Sequence, residues 1–145
     1  MNETDETHLR RAIALAQLAR DSGEQPFGSL LVGPDGAVLR EDHNTVLSDR
    51  DVTAHPELKL ARWAAHELGA ETVRATTLYT SCQPCRMCAN VIARAGLGRV
   101  VFALSSEQLS ALKPPGAVAP DAGEATYDGP ALHDEAQIPI AGYYD

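Results

Sequence analysis

The sequence predicts one three-layer α/β/α domain, a mixed central sheet with helices on both faces. Three observations carry this. The chain has 145 residues, a length that suits a single hydrophobic core. Its apolar and turn-forming residues order the elements as α-β-β-α-β-α-β-α. The first two strands flank a tight turn, which pairs them antiparallel. The later strands alternate with helices, which demands crossovers and parallel pairing.

Each element has a local reason. Residues 9–19 (LRRAIALAQLA) place Leu9, Ile13 and Ala16 on one side, with Ala12 beside them. They read as a helix capped at Thr7 and ended by Ser22-Gly23. Residues 29–32 and 37–40 flank Gly33-Pro34-Asp35-Gly36, the pattern of a β-hairpin. A polar loop over residues 41–53 leads to a helix over 56–68, which stops at Gly69. Pro56 suits its first turn, where a missing N–H costs least. Residues 76–80 (TTLYT) are β-branched and aromatic, hence a strand. Residues 85–95 form the next helix, ended by Gly96, and residues 99–103 (RVVFA) the last strand. Ser105-x-x-Gln108 is a capping box for a short helix to Leu112. From Lys113 to Pro130 the chain is rich in Pro, Gly, Ala and acidic residues, a loop long enough to be functional or disordered. Apolar and aromatic character returns over residues 138–145, which are expected to dock on some surface.

Charge and cysteine usage narrow the function classes. Twenty acidic residues against twelve Lys and Arg give a net charge of −8. Residues 105–145 carry one basic residue, Lys113, against seven acidic ones, a local charge of −6 that leaves −2 for the rest. Such a surface repels phosphate backbones, which argues against a nucleic-acid or anionic-membrane partner. Three Cys, all between Cys82 and Cys88, make no disulfide framework. Residues 1–8 are polar and acidic, unlike a signal peptide. No apolar run approaches the ~20 residues of a membrane span. The expectation is a single cytoplasmic domain over residues 1–145.

Two clusters carry chemistry. Thr53-Ala54-His55-Pro56-Glu57 opens one helix, and Ser81-Cys82-Gln83-Pro84-Cys85-Arg86-Met87-Cys88 leads from a strand into the next. An imidazole and two thiolates are good zinc ligands, and three protein ligands leave a fourth position for water. Cys85 and Cys88 lie one helical turn apart, so both sulfurs face one ion. A helix start favours the thiolate through its N–H groups and dipole. Glu57, two residues after His55, sets a carboxylate beside that water. Two other readings compete. Cys82 as a fourth ligand would close the site and exclude hydrolysis, but leaves Glu57 without a role. A redox Cys85-x-x-Cys88 pair explains neither His55 nor Glu57.

The H-x-E…P-C-x-x-C arrangement is that of zinc deaminases acting on bases. The chain resembles the cytidine deaminase superfamily, and most of all its nucleobase branch of guanine, cytosine and tRNA adenosine deaminases. Gln25-Pro26-Phe27-Gly28, Asn44, Thr53-Ala54-His55 and Thr80-Ser81-Cys82-x-Pro84-Cys85 carry the resemblance, over about two thirds of the chain. It implies a cytidine-deaminase-like fold and a Zn2+ held by His55, Cys85 and Cys88. It also implies attack by zinc-activated hydroxide on the amine-bearing ring carbon, with release of ammonia. Glu57 would move the protons, Asn44 would hydrogen-bond the base or its sugar, and Phe27 would stack on the ring. Trp63 is a second aromatic candidate, with a core role as its competing reading. A homodimer is implied by the resemblance alone. In guanine deaminases the C-terminal segment resembles a lid that is exchanged between subunits, so residues 105–145 are a candidate lid.

Among substrates, Pro26-Phe27-Gly28 and the chain length resemble guanine deaminases, which favours a free purine-like base or small nucleoside. A pyrimidine such as cytosine or cytidine is the alternative, with tRNA adenosine and a non-catalytic zinc module behind it. One departure stands out. Pro56 occupies a position where the family commonly has Ala, and it removes a backbone N–H beside the substrate. That contact is not carried over, and selectivity is expected to change with it.

Overall fold

A computed structural model describes residues 1–117 and 125–145. Its elements are α1 (Glu3–Asp21), β1 (Gly28–Val32), β2 (Val38–His43), α2 (Val46–Asp49), α3 (Pro56–Glu67), α4 (Ala70–Arg74), β3 (Thr77–Cys82), α5 (Arg86–Ala95), β4 (Arg99–Leu104), α6 (Ser106–Leu112) and α7 (His133–Ala136). The strand order is β2-β1-β3-β4. β1 pairs antiparallel with both β2 and β3, and β3 pairs parallel with β4. No helix among the described residues is long and apolar enough to cross a membrane.

The three layers follow from the period-2 alternation of the strands. Leu30, Val32, Tyr79 and Val101 face α1, packing with Leu9, Ala12 and Leu15. Their chain neighbours Leu31 and Leu78 point to the other face, where they meet Leu60, Ala61 and Ala64 of α3, Val73 of α4 and Ile92 of α5. Gly28 shows how closely α1 approaches the sheet: a Cβ there would lie 2.5 Å from Ala16 N and 2.6 Å from Ala12 O. The glycine of the Gln-Pro-Phe-Gly motif is therefore required by packing.

Several boundaries differ from the sequence reading, each for a physical reason. α1 begins at Glu3, and its cap is Asn2 rather than Thr7. Asn2 Oδ1 accepts from Asp5 N while Asp5 Oδ2 accepts from Asn2 N, a complete capping box. Thr7 lies inside the helix and donates to Glu3 O. The buried face is Asp5, Leu9, Ala12, Leu15, Ala16 and Ala19, and Ile13 is half exposed. β2 continues to His43, the short helix α2 falls in the stretch read as a polar loop, and α4 fills residues to which the sequence reading gave no element. Cys85 is the N-cap of α5 rather than its first residue. The Ser105–Gln108 capping box forms with both its bonds, and Gly96 closes α5 in the left-handed region at φ 87°.

The C-terminal residues do not dock on their own chain. Every residue of 125–145 is exposed, including Tyr127, Ile138, Ile140, Tyr143 and Tyr144. The hydrogen bonds among these residues are all local, such as Ala136 N to Leu132 O. Residues 118–124 of the acidic loop lie outside the described residues.

A buried carboxylate ties the layers together. Asp5 is 3% exposed and accepts from Arg99 of β4 at 2.9 and 3.0 Å and from Tyr79 Oη of β3 at 2.6 Å. The Arg99 guanidinium and the Tyr79 hydroxyl hold its carboxyl far below the usual carboxylate range. A depressed folded-state pKa makes this stabilisation complete above about pH 4 and lost as pH falls through the folded value. Asp5→Asn is expected to be less stable than the parent in urea unfolding at pH 7. That difference should shrink when the measurement is repeated at pH 3.

Candidate active site and metal centre

The loop before α3 is shaped by short polar bonds. Asp51 Oδ1 accepts from Thr53 N and Oγ1, and Ala54 N donates to Asp51 O, an Asx turn. His55 then takes an extended backbone as N-cap, and Pro56 occupies the first helical position. β3 ends at Cys82, and Pro84 and the extended Cys85 N-cap start α5. α3 and α5 pack side by side, so their two starts meet.

His55 Nδ1 lies 3.6 Å from Cys85 Sγ and 3.5 Å from Cys88 Sγ. All three ligand atoms fall within 4.8 Å of one another. A tetrahedral zinc with bonds of about 2.3 Å to sulfur and about 2.0–2.1 Å to nitrogen separates N from S by about 3.6 Å. The donor set and its spacing fit that ion. Cys82, at the end of β3, is not part of the group, so among the described residues the three-ligand open arrangement is the one formed. The backbone supports the sulfurs: Cys88 N–H donates to Cys85 Sγ and Leu58 N–H to Cys88 Sγ. Hydrogen bonds from Cys88 and His55 pull the Cys85 thiol far down, while the same contact and burial push Cys88 up.

Glu57 is 6% exposed, and burial, its largest influence, pushes its carboxyl above the ordinary range. Its own backbone N–H and the Ser29 hydroxyl oppose that rise. Ser29 Oγ lies 3.2 Å from Glu57 Oε1 and 2.8 Å from Thr80 Oγ1. Ser29 and Thr80 are cross-strand partners, on the same sheet face as Leu31 and Leu78 by alternation. They place a polar pair beneath Glu57 in an otherwise apolar layer. Sequence reading missed both. The available signal was a hydroxyl at the α3-facing end of each of two apolar strands.

Asn44 is 1% exposed. Its Nδ2 donates to Gln25 Oε1 at 3.1 Å and its Oδ1 accepts from Val46 N at 3.0 Å, leaving one N–H and one lone pair. Asn44 N donates to Phe27 O, so Gln25, Phe27 and Asn44 are brought together although they are distant in sequence. Phe27 is half-buried. Lys59 Nζ donates to Asp42 Oδ1, His43 O and Thr45 Oγ1, each at 2.9 Å. It pins the chain on both sides of Asn44 to α3, a role the sequence did not indicate. Trp63 packs against the α3–α5 core and under Arg40, 5.2 Å from its guanidinium carbon, in a surface groove of about 330 Å³ with Lys59, Arg62 and His66. That matches its core reading.

With this geometry in hand, comparison with known proteins is decisive. Residues 2–104 match the profile described as the cytidine and deoxycytidylate deaminase zinc-binding region. The chain belongs to this deaminase family. A probable cytosine deaminase of Schizosaccharomyces pombe is 34% identical over 157 residues, spanning 100% of this chain and 95% of that protein. The guanine deaminase of Bacillus subtilis is 36% identical over 135 residues, spanning 92% and 78%. A crystal structure of guanine deaminase from Bacillus subtilis superposes with a TM-score of 0.77 at 31% identity, covering 99% of this chain and 94% of that one. A tRNA-specific adenosine deaminase of Haemophilus influenzae is 33% identical over 111 residues, spanning 77% and 64%. The fold is thus cytidine deaminase-like, and the protein is a hydrolytic deaminase of the zinc-binding kind.

Replacing any of His55, Cys85 or Cys88 by Ala is expected to abolish zinc retention by metal analysis after gel filtration. Each should also lower the thermal midpoint, because metal binding stabilises the folded state. A folded variant with full zinc would show that the ligands are misassigned.

Proposed function

We propose that this deaminase acts on a free nucleobase or small nucleoside, a purine-like base first, with the zinc on His55, Cys85 and Cys88. The observation that carries this reading is the buried Glu57 carboxyl, two residues from a metal ligand and not itself in the ligand group. Zinc, when bound, supplies the acidity that makes water a nucleophile near neutral pH. Glu57 takes the proton of the attacking water and passes it to the ring nitrogen beside the amine-bearing carbon. It then takes up the proton of the hydroxyl now on the ring carbon and gives it to the departing amine, which leaves as ammonia while the carbon keeps the oxygen as a carbonyl. One carboxyl serving as base and then acid needs a pKa above the usual carboxylate value, and burial moves Glu57 in that direction. Ser29, itself bonded to Thr80, holds the carboxylate in one orientation. Asn44 offers its spare donor and acceptor to the ring edge, and Phe27 flanks the ring.

The guanine deaminase relatives support a purine-like substrate, and the cytosine deaminase relative keeps a pyrimidine as the alternative. A second reading, adenosine in tRNA, is favoured by Arg40, Lys59, Arg62 and His66 gathered around Trp63. It is opposed by the net charge of −8 and by the bonds that already occupy Lys59. We further read the protein as a cytoplasmic homodimer on family grounds, in which the exposed C-terminal residues of one copy close the pocket of the other. Sedimentation of the full chain and of a chain ending at Leu112 distinguishes that from a monomer.

An ammonia-release screen over guanine, isoguanine, cytosine, adenine, ammeline and their nucleosides tests the reading, with a purine-like base expected to lead. Salt-sensitive retention of tRNA in a gel shift would favour the tRNA reading instead. Glu57→Gln is expected to keep its zinc and lose roughly 10²–10⁴-fold in turnover; parental turnover would refute the assignment. Ser29→Ala should keep zinc and lower kcat by about tenfold, the scale seen when supporting hydrogen bonds are removed.

A further inference from the structure

The side-chain oxygens of Thr80, Ser29 and Glu57 form a buried row whose protons can be counted. Ser29 is 0% exposed and Thr80 1%. Ser29 Oγ lies 2.8 Å from Thr80 Oγ1 and 3.2 Å from Glu57 Oε1. A hydroxyl has one proton to donate and lone pairs with which to accept, so Ser29 can act as donor to only one of these neighbours. The supply of acceptors decides which. Among the described residues, Thr80 Oγ1 has Ser29 Oγ as its hydrogen-bond partner and no other. Leu31 and Leu78, next along the same sheet face, are apolar and offer none. Were Ser29 to donate to Thr80, the Thr80 proton would have no acceptor and Glu57 Oε1 would face a hydroxyl lone pair. With Thr80 donating to Ser29, both protons are used. Leaving a buried donor unpaired is costly, so the packing selects the second arrangement.

Resting on the reading of Glu57 as the proton carrier, we propose that Thr80 is a positioning residue for the deamination. Its hydroxyl donates to Ser29 Oγ and commits the Ser29 proton to Glu57 Oε1, which leaves Oε2 as the oxygen that takes up and releases the reaction's proton. A donor on Oε1 keeps that oxygen an acceptor throughout, since a proton placed on it would meet the Ser29 proton head-on. Proton movement is then confined to one oxygen, and the carboxyl need not turn over between accepting and giving. The Thr80 bond also strengthens Ser29 as a donor, because hydrogen bonds in a chain polarise one another. It further holds the Ser29 side chain to a single staggered rotamer.

Thr80→Val removes the hydroxyl at nearly constant volume, and Thr80→Ser keeps it without the methyl. Both are compared, zinc-loaded, on the base from which the parent releases ammonia fastest. Thr80→Val is expected to lower kcat roughly three- to fivefold at unchanged KM, and Thr80→Ser to stay within about twofold of the parent. In a Ser29→Ala background, Thr80→Val should lower kcat no further, because its effect passes through Ser29. An unchanged or raised kcat in Thr80→Val overturns the proposal. So does an equal loss in both backgrounds, which a packing defect would give. The direction of the chain can also be read without a variant or a substrate. Neutron diffraction from zinc-loaded parent crystals grown in heavy water should show deuterium on Thr80 Oγ1 aimed at Ser29 Oγ, and on Ser29 Oγ aimed at Glu57 Oε1. Deuterium on Ser29 aimed at Thr80 overturns the proposal, whether or not Thr80→Val folds. Parental turnover in Glu57→Gln would sink the proton-carrier reading and the role of Oε2 with it. An inactive Glu57→Gln beside an unimpaired Thr80→Val sinks only the role of Thr80.

Discussion

The packing of α3 against α5 on one face of the sheet is the constraint on which the site depends. Leu60, Ala61 and Ala64 of α3 and Ile92 of α5 share one core with Leu31 and Leu78 of the sheet. That contact aligns the helix starts, and with them His55, Cys85 and Cys88. Neither His55 nor Cys85 spends its side chain on capping its own helix. The uncapped amides are not wasted: Leu58 and Cys88 N–H groups go to the two sulfurs. Ligand position and helix-end satisfaction are therefore met by the same bonds.

A second layer of polar contacts orients what lies around the ion. Ser29 and Thr80 meet across β1 and β3, and Ser29 reaches Glu57 from beneath. Lys59, one turn along α3 from His55, reaches back to Asp42, His43 and Thr45. Gln25 holds the Asn44 amide from the opposite side. Each buried polar atom thereby has a partner, and no described buried side-chain nitrogen or oxygen is left without one.

The charge asymmetry acquires a spatial meaning. The body carries little net charge, and three of its basic side chains are engaged within it: Arg99 with Asp5, Lys59 with Asp42, Arg11 with Glu41. The acidic excess resides in residues 105–145, whose described C-terminal portion stands exposed with its aromatic and aliphatic side chains uncovered. A segment both acidic and apolar, unburied on its own chain, is suited to contact a second surface rather than to fold alone.

The grouping of His55, Cys85 and Cys88, with the Glu57 carboxyl two residues from His55, was legible in the sequence because it depends on spacing along the chain. His55 and Glu57 flank one residue, and Cys85 and Cys88 lie one turn apart; local geometry sets both. The hairpin, the Gly96 stop and the Ser105–Gln108 cap were legible for the same reason. Asn2 was not, since its capping box matters only because Asp5 is buried against Arg99 and Tyr79, more than seventy residues away. Ser29 and Lys59 were likewise invisible, and Gln25 and Thr80 stood only as motif residues without a role, because hydroxyls, an amide and an amine acquire their roles from partners on other elements. Sequence alone determined the chemistry, which resides in residue type and short spacing. Only the tertiary structure decided how that chemistry is aimed, because orientation depends on contacts between segments that the chain does not place side by side.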